Sequence, residues 1–372
     1  MPNIFDTLLG QAKSFLGSSG GDAICGVDIG SSSIKVIEIR KKEGVVVLQT
    51  YGELALGPFA GKEAGQVIQL NEDIITQAIK ALFQEAKVTA KKIFFSTRSS
   101  SSLVFVLDIP SVSEREIAAL LPNEIRKYIP VPVNEVMLDW WIIPSEIDAA
   151  LGHDATDNIP KREVLVAAVH RDTVKTYQDI VRSASLQSTG FEIEMFSTIR
   201  SSVRYDLNAT LVLDMGASST RVAIVESGIM RSFHTIQRGS HYITQAIATS
   251  RSIPFTQAEN RKRSVGLLGS GDDEEISAIA KMTIQYIISE AQGVILSYEK
   301  KYGRPIQKVV LTGGGALLKG FSEIAQDAFR AKILIATPFQ KTQAPQFLRD
   351  TLEMVGPSFA VSVGLALRGL SE

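Results

Sequence analysis

Two hydrophobic periods alternate along this chain. AICGVDI, SIKVIEIR and VVVLQTYGEL are short apolar runs rich in β-branched residues. Their length and alternation predict two or three strands. LNEDIITQAIKALFQEAKV then shifts to a helical period. Ile75, Ala78, Ile79, Leu82 and Phe83 share one face, and Asn71 stands where an N-cap belongs. KKIFFSTRSSSSLVFVLDIP predicts two strands around a serine-rich loop, and the next helix opens with Ser113 and Glu116 at capping-box spacing. EVLVAAV is a buried strand, followed by a helix to about Leu186 and a connection ending at Gly190. TLVLDMGASSTRVAIVESG returns to the strand pattern. A helix near Ile243, a charged segment AENRKRS and an acidic loop GSGDDEE follow. A long helix from Ile276 to Tyr302 stops at Gly303 and Pro305. KVVLTGGGALLKG is a strand, a glycine turn and a helix start. At the other end, residues 1–17 predict a short amphipathic helix, Gly17 to Asp22 a flexible linker, and DAALGHDATDNIPKR a mobile loop.

One pattern occurs twice. GVDIGSSSIKVIEI and VLDMGASSTRVAIV align without gaps, so Asp28 matches Asp214, Gly30 matches Gly216, Ser31 to Ser33 match Ala217 to Ser219, and Lys35 matches Arg221. Two copies predict two related halves facing each other across a cleft. Each copy has the chemistry of a phosphate cradle. Glycine lets backbone approach a phosphate, and hydroxyls with backbone N–H groups at a hairpin tip bind its oxygens. An aspartate there is repelled by phosphate unless a cation intervenes, which implies magnesium held through water by Asp28 and Asp214. Lys35 adds a point charge. A single copy reads equally well as a polar hairpin turn; the repetition lowers that reading sharply.

Composition narrows the class. The chain has 372 residues, 45% of them hydrophobic, and a net charge of −1. It has sizeable cores and no basic field to recruit nucleic acid or an anionic membrane. Its one cysteine, Cys25, allows no intrachain disulfide and fits a reducing compartment. The four histidines show no zinc-type spacing, and no apolar run approaches the ~18 residues of a membrane span.

The two repeats and the glycine motif LTGGGALLKG together resemble the actin-like ATPase superfamily. Within it, LPNEIRKYIPVPVNEVMLDWWII, with Tyr128, Ile129, Pro130, Pro132, Asp139 and Trp140, and SIPFTQAENRKRSVGL resemble the PilM family of type IV pilus assembly. The resemblance spans roughly Ile24 to Leu367. It implies an α/β, ribonuclease H-like two-lobed fold with an FtsA-type 1C insertion. Residues 23–50 and 163–208 would form subdomain 1A, 51–162 1C, 209–250 and 305–372 2A, and 251–304 2B. It further implies ATP or ADP with Mg2+ in the cleft. Gly30, Ser31, Ser32, Ser33, Lys35, Gly216, Ala217, Ser218 and Ser219 would hold the phosphates. Glu259 and Lys262 would hold the ribose, Arg263 would stack on the base, and Gly313, Gly314 and Gly315 would pass beside the adenosine. Glu194 would orient the attacking water, with Glu192 as the alternative. GFEIEMFSTIRSS and AVSVGLAL look like the two connecting helices, the second with small residues for close crossing. Turnover would be slow at most, because no arginine finger is visible. The implied partner is the N-terminal cytoplasmic peptide of a PilN-like inner-membrane protein, docked near Ile93–Thr97 and Leu103–Leu107 beside YIPVPV. Pilus motor or platform proteins and self-association are further partners. The implied location is the cytoplasmic face of the inner membrane. An FtsA-like filament-forming membrane tether is the alternative.

Overall fold

The computed structural model describes residues 23–69, 71–110, 114–129, 131–144 and 161–370. The expected helix over residues 1–17, the linker to Asp22 and the Ser113 cap lie outside them, as does the expected loop 148–162 except for Lys161 and Arg162, which begin a strand instead. Strands β1 (Ala23–Ile29), β2 (Ser33–Lys42) and β3 (Val45–Ala55) are antiparallel neighbours. Helix α1 (Glu72–Glu85) leads to β4 (Lys92–Thr97), which lies parallel to β1. Asn71 caps α1 by accepting from the Ile74 N–H at 3.1 Å. The chain then leaves this sheet. β5 (Ser102–Pro110), α2 (Glu114–Ile125), β6 (Val136–Ile142) and β7 (Lys161–His170) form an inserted layer with strand order β5-β7-β6. Helix α3 (Arg171–Ser183) returns to β8 (Gly190–Ile193), which completes the first sheet as β3-β2-β1-β4-β8.

Helix α4 (Glu194–Ser202) crosses to the second half. There β9 (Thr210–Met215), β10 (Thr220–Glu226) and β11 (Ile229–Ile236) are antiparallel. Helices α5 (Ser240–Arg251), α6 (Phe255–Val265) and α7 (Glu274–Tyr302) follow. β12 (Lys308–Thr312), α8 (Phe321–Phe329) and β13 (Lys332–Ile335) complete the order β11-β10-β9-β12-β13. This is the same walk as in the first sheet: three antiparallel strands, then two parallel ones on the far side of the first. The sequence repeat is therefore a repeat of topology. Helices α9 (Arg349–Val355) and α10 (Ala360–Arg368) bring the chain back to the first half.

Strand alternation sorts the cores. Cys25, Val27 and Ile29 face Ile75, Ile79, Tyr177 and Ile180 of α1 and α3, while Ile24 packs with Val361 and Leu365 of α10. Burial pushes the Cys25 thiol pKa up, so it stays protonated and inert. Gly26 lies under α10, where a Cβ would meet Ser362 O at 2.1 Å. β7 is buried on both faces. Val164, Val166 and Ala168 pack on Ile117, Leu121 and Ile125 of α2. Leu165, Ala167 and Val169 pack on α4 and on β9–β11 of the second sheet. Burying each large aliphatic side chain contributes about 1.5–3 kcal/mol.

These contacts redraw the expected subdomains. Residues 51–97 were expected inside the insertion, but β4 pairs with β1 and β8 in the first sheet. The inserted layer runs from β5 to β7, so residues 163–170 belong to it. β4 and β5 follow one another around the serine-rich loop yet sit in different sheets. Helices α6 and α7, in the expected 2B segment, share one hydrophobic core with the second sheet. No helix among the described residues is long and apolar enough to cross a membrane.

Candidate functional site

The two repeats end in hairpin tips of the same geometry. Gly30 N donates to Ser33 O at 3.0 Å, and Gly216 N donates to Ser219 O at 3.0 Å. Hairpin register then sets each acid across from a base: Asp28 opposes Lys35, and Asp214 opposes Arg221. The carbonyls of both tips are tied back into the protein. Ser31 O and Ser32 O accept from Ile68 N and Leu56 N, and Gly216 O and Ala217 O accept from Ser240 N and His241 N. The N–H groups of Ser31, Ser32, Ala217 and Ser218 have no acceptor among the described residues. Two sets of unused amide donors are thus held at two rigid turns, a geometry that suits an anion.

Of the nineteen site residues singled out from the sequence, all but Glu192 line one cleft of about 610 Å³. Both tips, the glycine turn after β12, Glu259, Lys262, Arg263 and Glu194 contribute to it. Gly313 has φ +79°, and a Cβ there would lie 2.4 Å from Asp214 Oδ1. Only glycine lets this turn approach the aspartate. Gly239, at the start of α5, is equally constrained: its Cβ would lie 2.4 Å from Ala217 O.

Asp28 and Asp214 are both buried. Ser96 Oγ donates to Asp28 Oδ1 at 2.9 Å, and Thr198 Oγ1 donates to Asp214 Oδ2 at 3.3 Å. Burial and the negative charge of Asp28 push the Asp214 carboxyl up to about 7. A cation between them would relieve that cost. Among the described residues no group of three or more metal-ligating side chains occurs. Two carboxylates suit a magnesium ion that keeps most of its waters.

Packing puts Glu192 and Glu194 in different surroundings. Glu192 is sealed off, with Arg200 donating to both its oxygens at 2.7 Å and Arg368 3.6 Å away. Burial alone would raise its pKa, but the Arg200 charge outweighs this and holds it low. Glu194 opens α4 and lines the cleft. Its Oε1 accepts from Ser99 N at 3.3 Å, and its other oxygen pairs with Arg221.

In the second lobe, Glu259 accepts from Thr244 Oγ1 at 2.6 Å and pairs with Lys262 and Arg263 at 2.7 Å each. Burial would raise its carboxyl, yet the Lys262 charge and these hydrogen bonds hold it at about 2. Lys262 is buried and also donates to Thr244 and Ser240 O. It anchors α6 to α5, and Arg263 is the exposed member of the trio.

Arg98 and Glu53 of the cleft lining, and Ser96 beside Asp28, were not anticipated. Arg98 Nη2 donates to Gly30 O at 2.8 Å, and Lys35 bonds Ser33 Oγ at 2.7 Å and Glu53 at 3.1 Å. Ser96 arrives from β4, and nothing in its local sequence marks it. Arg221 carried a signal, because the repeat aligns it with Lys35.

A family model described as type IV pilus assembly protein PilM matches residues 26–370. The cell division protein FtsA of Neisseria meningitidis serogroup B is 24% identical over 387 residues, covering 91% of this chain and 88% of that protein. A solved PilM-PilN type IV pilus biogenesis complex matches with a TM-score of 0.78 at 23% identity, over 93% of this chain and 98% of that one. MreB 5 of Spiroplasma citri bound to AMPPNP matches with a TM-score of 0.51 at 14% identity, over 92% and 94%. The fold is actin-like, with two lobes on sheets of one strand order. Over nearly its whole length, the chain belongs to the PilM family of type IV pilus assembly proteins.

Proposed function

We propose that this protein is a nucleotide-binding scaffold of the type IV pilus inner-membrane assembly platform. It takes ATP or ADP with Mg2+ between its lobes and binds the cytoplasmic peptide of a PilN-like membrane partner. The observation that carries the nucleotide reading is the pair of facing hairpin tips, each with unused amide donors in front of a buried aspartate. Donors from two lobes converging on one cleft fit a chain of phosphates bound at both ends. Magnesium, when bound, neutralises charge between carboxylate and phosphate, and Asp28 and Asp214 would hold it through water. Calorimetry tests this. Asp28→Asn and Asp214→Ala should each weaken magnesium-dependent ATP binding by about tenfold or more, each losing a charged contact. Unchanged affinity in both would sink the site.

The peptide site follows the analogy with the solved PilM-PilN complex, with one correction. Ile93–Thr97 lies in β4, hydrogen-bonded on both sides inside the first sheet, and offers no edge to a peptide. Leu103–Leu107 lies in β5, which pairs only with β7 among the described strands. There Phe105 stacks on the exposed Tyr128 with ring centroids 5.2 Å apart. An extended peptide at β5 would gain main-chain bonds and an aromatic platform. Binding it would keep the protein at the membrane face without a lipid-binding segment. Tyr128→Glu should lower affinity for a PilN-type N-terminal peptide, read by fluorescence anisotropy, with ATP affinity unchanged. The reverse outcome would move the groove elsewhere.

A further inference from the structure

Arg221 stands between the two carboxylates that matter most in the cleft. Its Nη1 pairs with Glu194, and its Nη2 lies 3.0 Å from Asp214 Oδ2. Its Nε is buried and has no acceptor among the described residues. The counterpart in the first repeat behaves differently. Lys35 also sits opposite its aspartate in the hairpin, but its ammonium turns to Ser33 and Glu53, while Ser96 holds Asp28. The two halves share a backbone and differ in where they put their cation. Only the second half puts it on the carboxylate that could hold a water.

We propose that Arg221 senses the terminal phosphate of a nucleoside triphosphate, exchanging Glu194 and Asp214 for phosphate oxygens when the triphosphate is bound. The inference rests on the nucleotide reading above. A guanidinium fork fits two carboxylates or the oxygens of one phosphate with the same donors. Arg221 offsets part of the charge of Glu194 and Asp214, both of which are buried. A triphosphate adds negative charge beside Asp214 and Glu194, and Arg221 already lies against both of them. The carboxylates are then left to the metal and to water. A diphosphate brings no terminal group, so Arg221 stays on the carboxylates. The contact thus makes the cleft distinguish ATP from ADP. It also keeps Glu194 engaged until a triphosphate arrives.

The test compares magnesium-ATP and magnesium-ADP affinities by calorimetry in the full chain and in Arg221→Ala. ATP affinity should fall about 10- to 100-fold, the range for losing a charged hydrogen-bonding pair, and ADP affinity should stay within about threefold. Equal weakening of both nucleotides, or of neither, would overturn the sensor. If the unaltered protein binds neither nucleotide, the nucleotide reading itself fails. Arg221→Ala leaves two buried carboxylates uncompensated. Should it not fold, Arg221→Gln combined with Glu194→Gln carries the same comparison, with Glu194→Gln alone as its reference. There the ATP-to-ADP affinity ratio should drop only when Arg221 is changed.

Discussion

Gly364→Val should unfold this protein or come close to it. In α10, a Cβ at Gly364 would lie 2.0 Å from Ser197 O and 2.5 Å from Ser197 C, both backbone atoms of α4. No rotamer relieves a clash with backbone, so the two connecting helices must part. α10 has no room to retreat, because Gly26 already brings β1 against Ser362 O. Parting would also break the bond from Arg200 Nη1 to Gly364 O at 3.1 Å and disturb the Arg200–Glu192 pair. Overpacking alone costs about 1–3 kcal/mol. Loosening a buried ion pair adds about 3 kcal/mol more. A total of about 4–6 kcal/mol is a large part of a typical folding stability. Gly364→Ala should show most of the clash term. Gly293→Ala is the control: it lies exposed in α7 with nothing within 4 Å of the added Cβ. It should stabilise by about 0.5–1 kcal/mol through helix propensity. Denaturant unfolding reads all three, and a loss under about 1 kcal/mol for Gly364→Val would refute the crossing geometry.

Glu163→Ala should detach the inserted layer from the second lobe. Glu163 sits on β7, yet its partners all belong to the second half. Arg231 Nη1 lies 2.5 Å away, Tyr302 OH donates at 2.7 Å and Lys301 Nζ is 2.7 Å away. Burial would raise its pKa, but the Lys301 charge outweighs that and holds it low. Lys301 also reaches Asp108 on β5 at 3.2 Å. Removing the carboxylate takes an acid from a fully buried Arg231, which also has Glu226 3.5 Å away. Breaking a buried pair from one side costs about 3–5 kcal/mol, and Glu226 places this case at the lower end. Glu163→Gln keeps the shape and should lose less. Limited proteolysis should then cut the inserted layer before the rest of the chain, and an unchanged cleavage order would count against the latch. The consequence reaches function. The inserted layer is covalently part of the first lobe but packed on the second, so closure of the lobes on the nucleotide proposed above would act through this contact. In Glu163→Ala, peptide affinity should no longer depend on whether the cleft holds ATP or ADP.

Much of this protein was legible in the chain itself. The two Asp-x-Gly repeats specify two hairpins because a glycine turn between β-branched runs has few other solutions. Period-2 alternation then dictates that Asp28 and Lys35, or Asp214 and Arg221, stand opposite one another. Local rules also set the Asn71 cap, the Gly303 stop and the long helix α7, since each depends only on residues a few positions apart. What lay beyond reach was long-range. Whether β5 joins β4 depends on which sheet edge is open, and neither strand encodes that. Glu192 and Glu194 look alike as neighbours in the chain. Two positions across the turn from β8 into α4 point one at buried Arg200 and the other into the cleft. Ser96 touches Asp28 only because β4 lies parallel beside β1, 68 positions away in the chain. Arg221 was visible as a cation, but its hold on Glu194 exists only where the two lobes meet. Side-chain partners across lobes are chosen by tertiary packing, because burial and charge act through space and not along the chain.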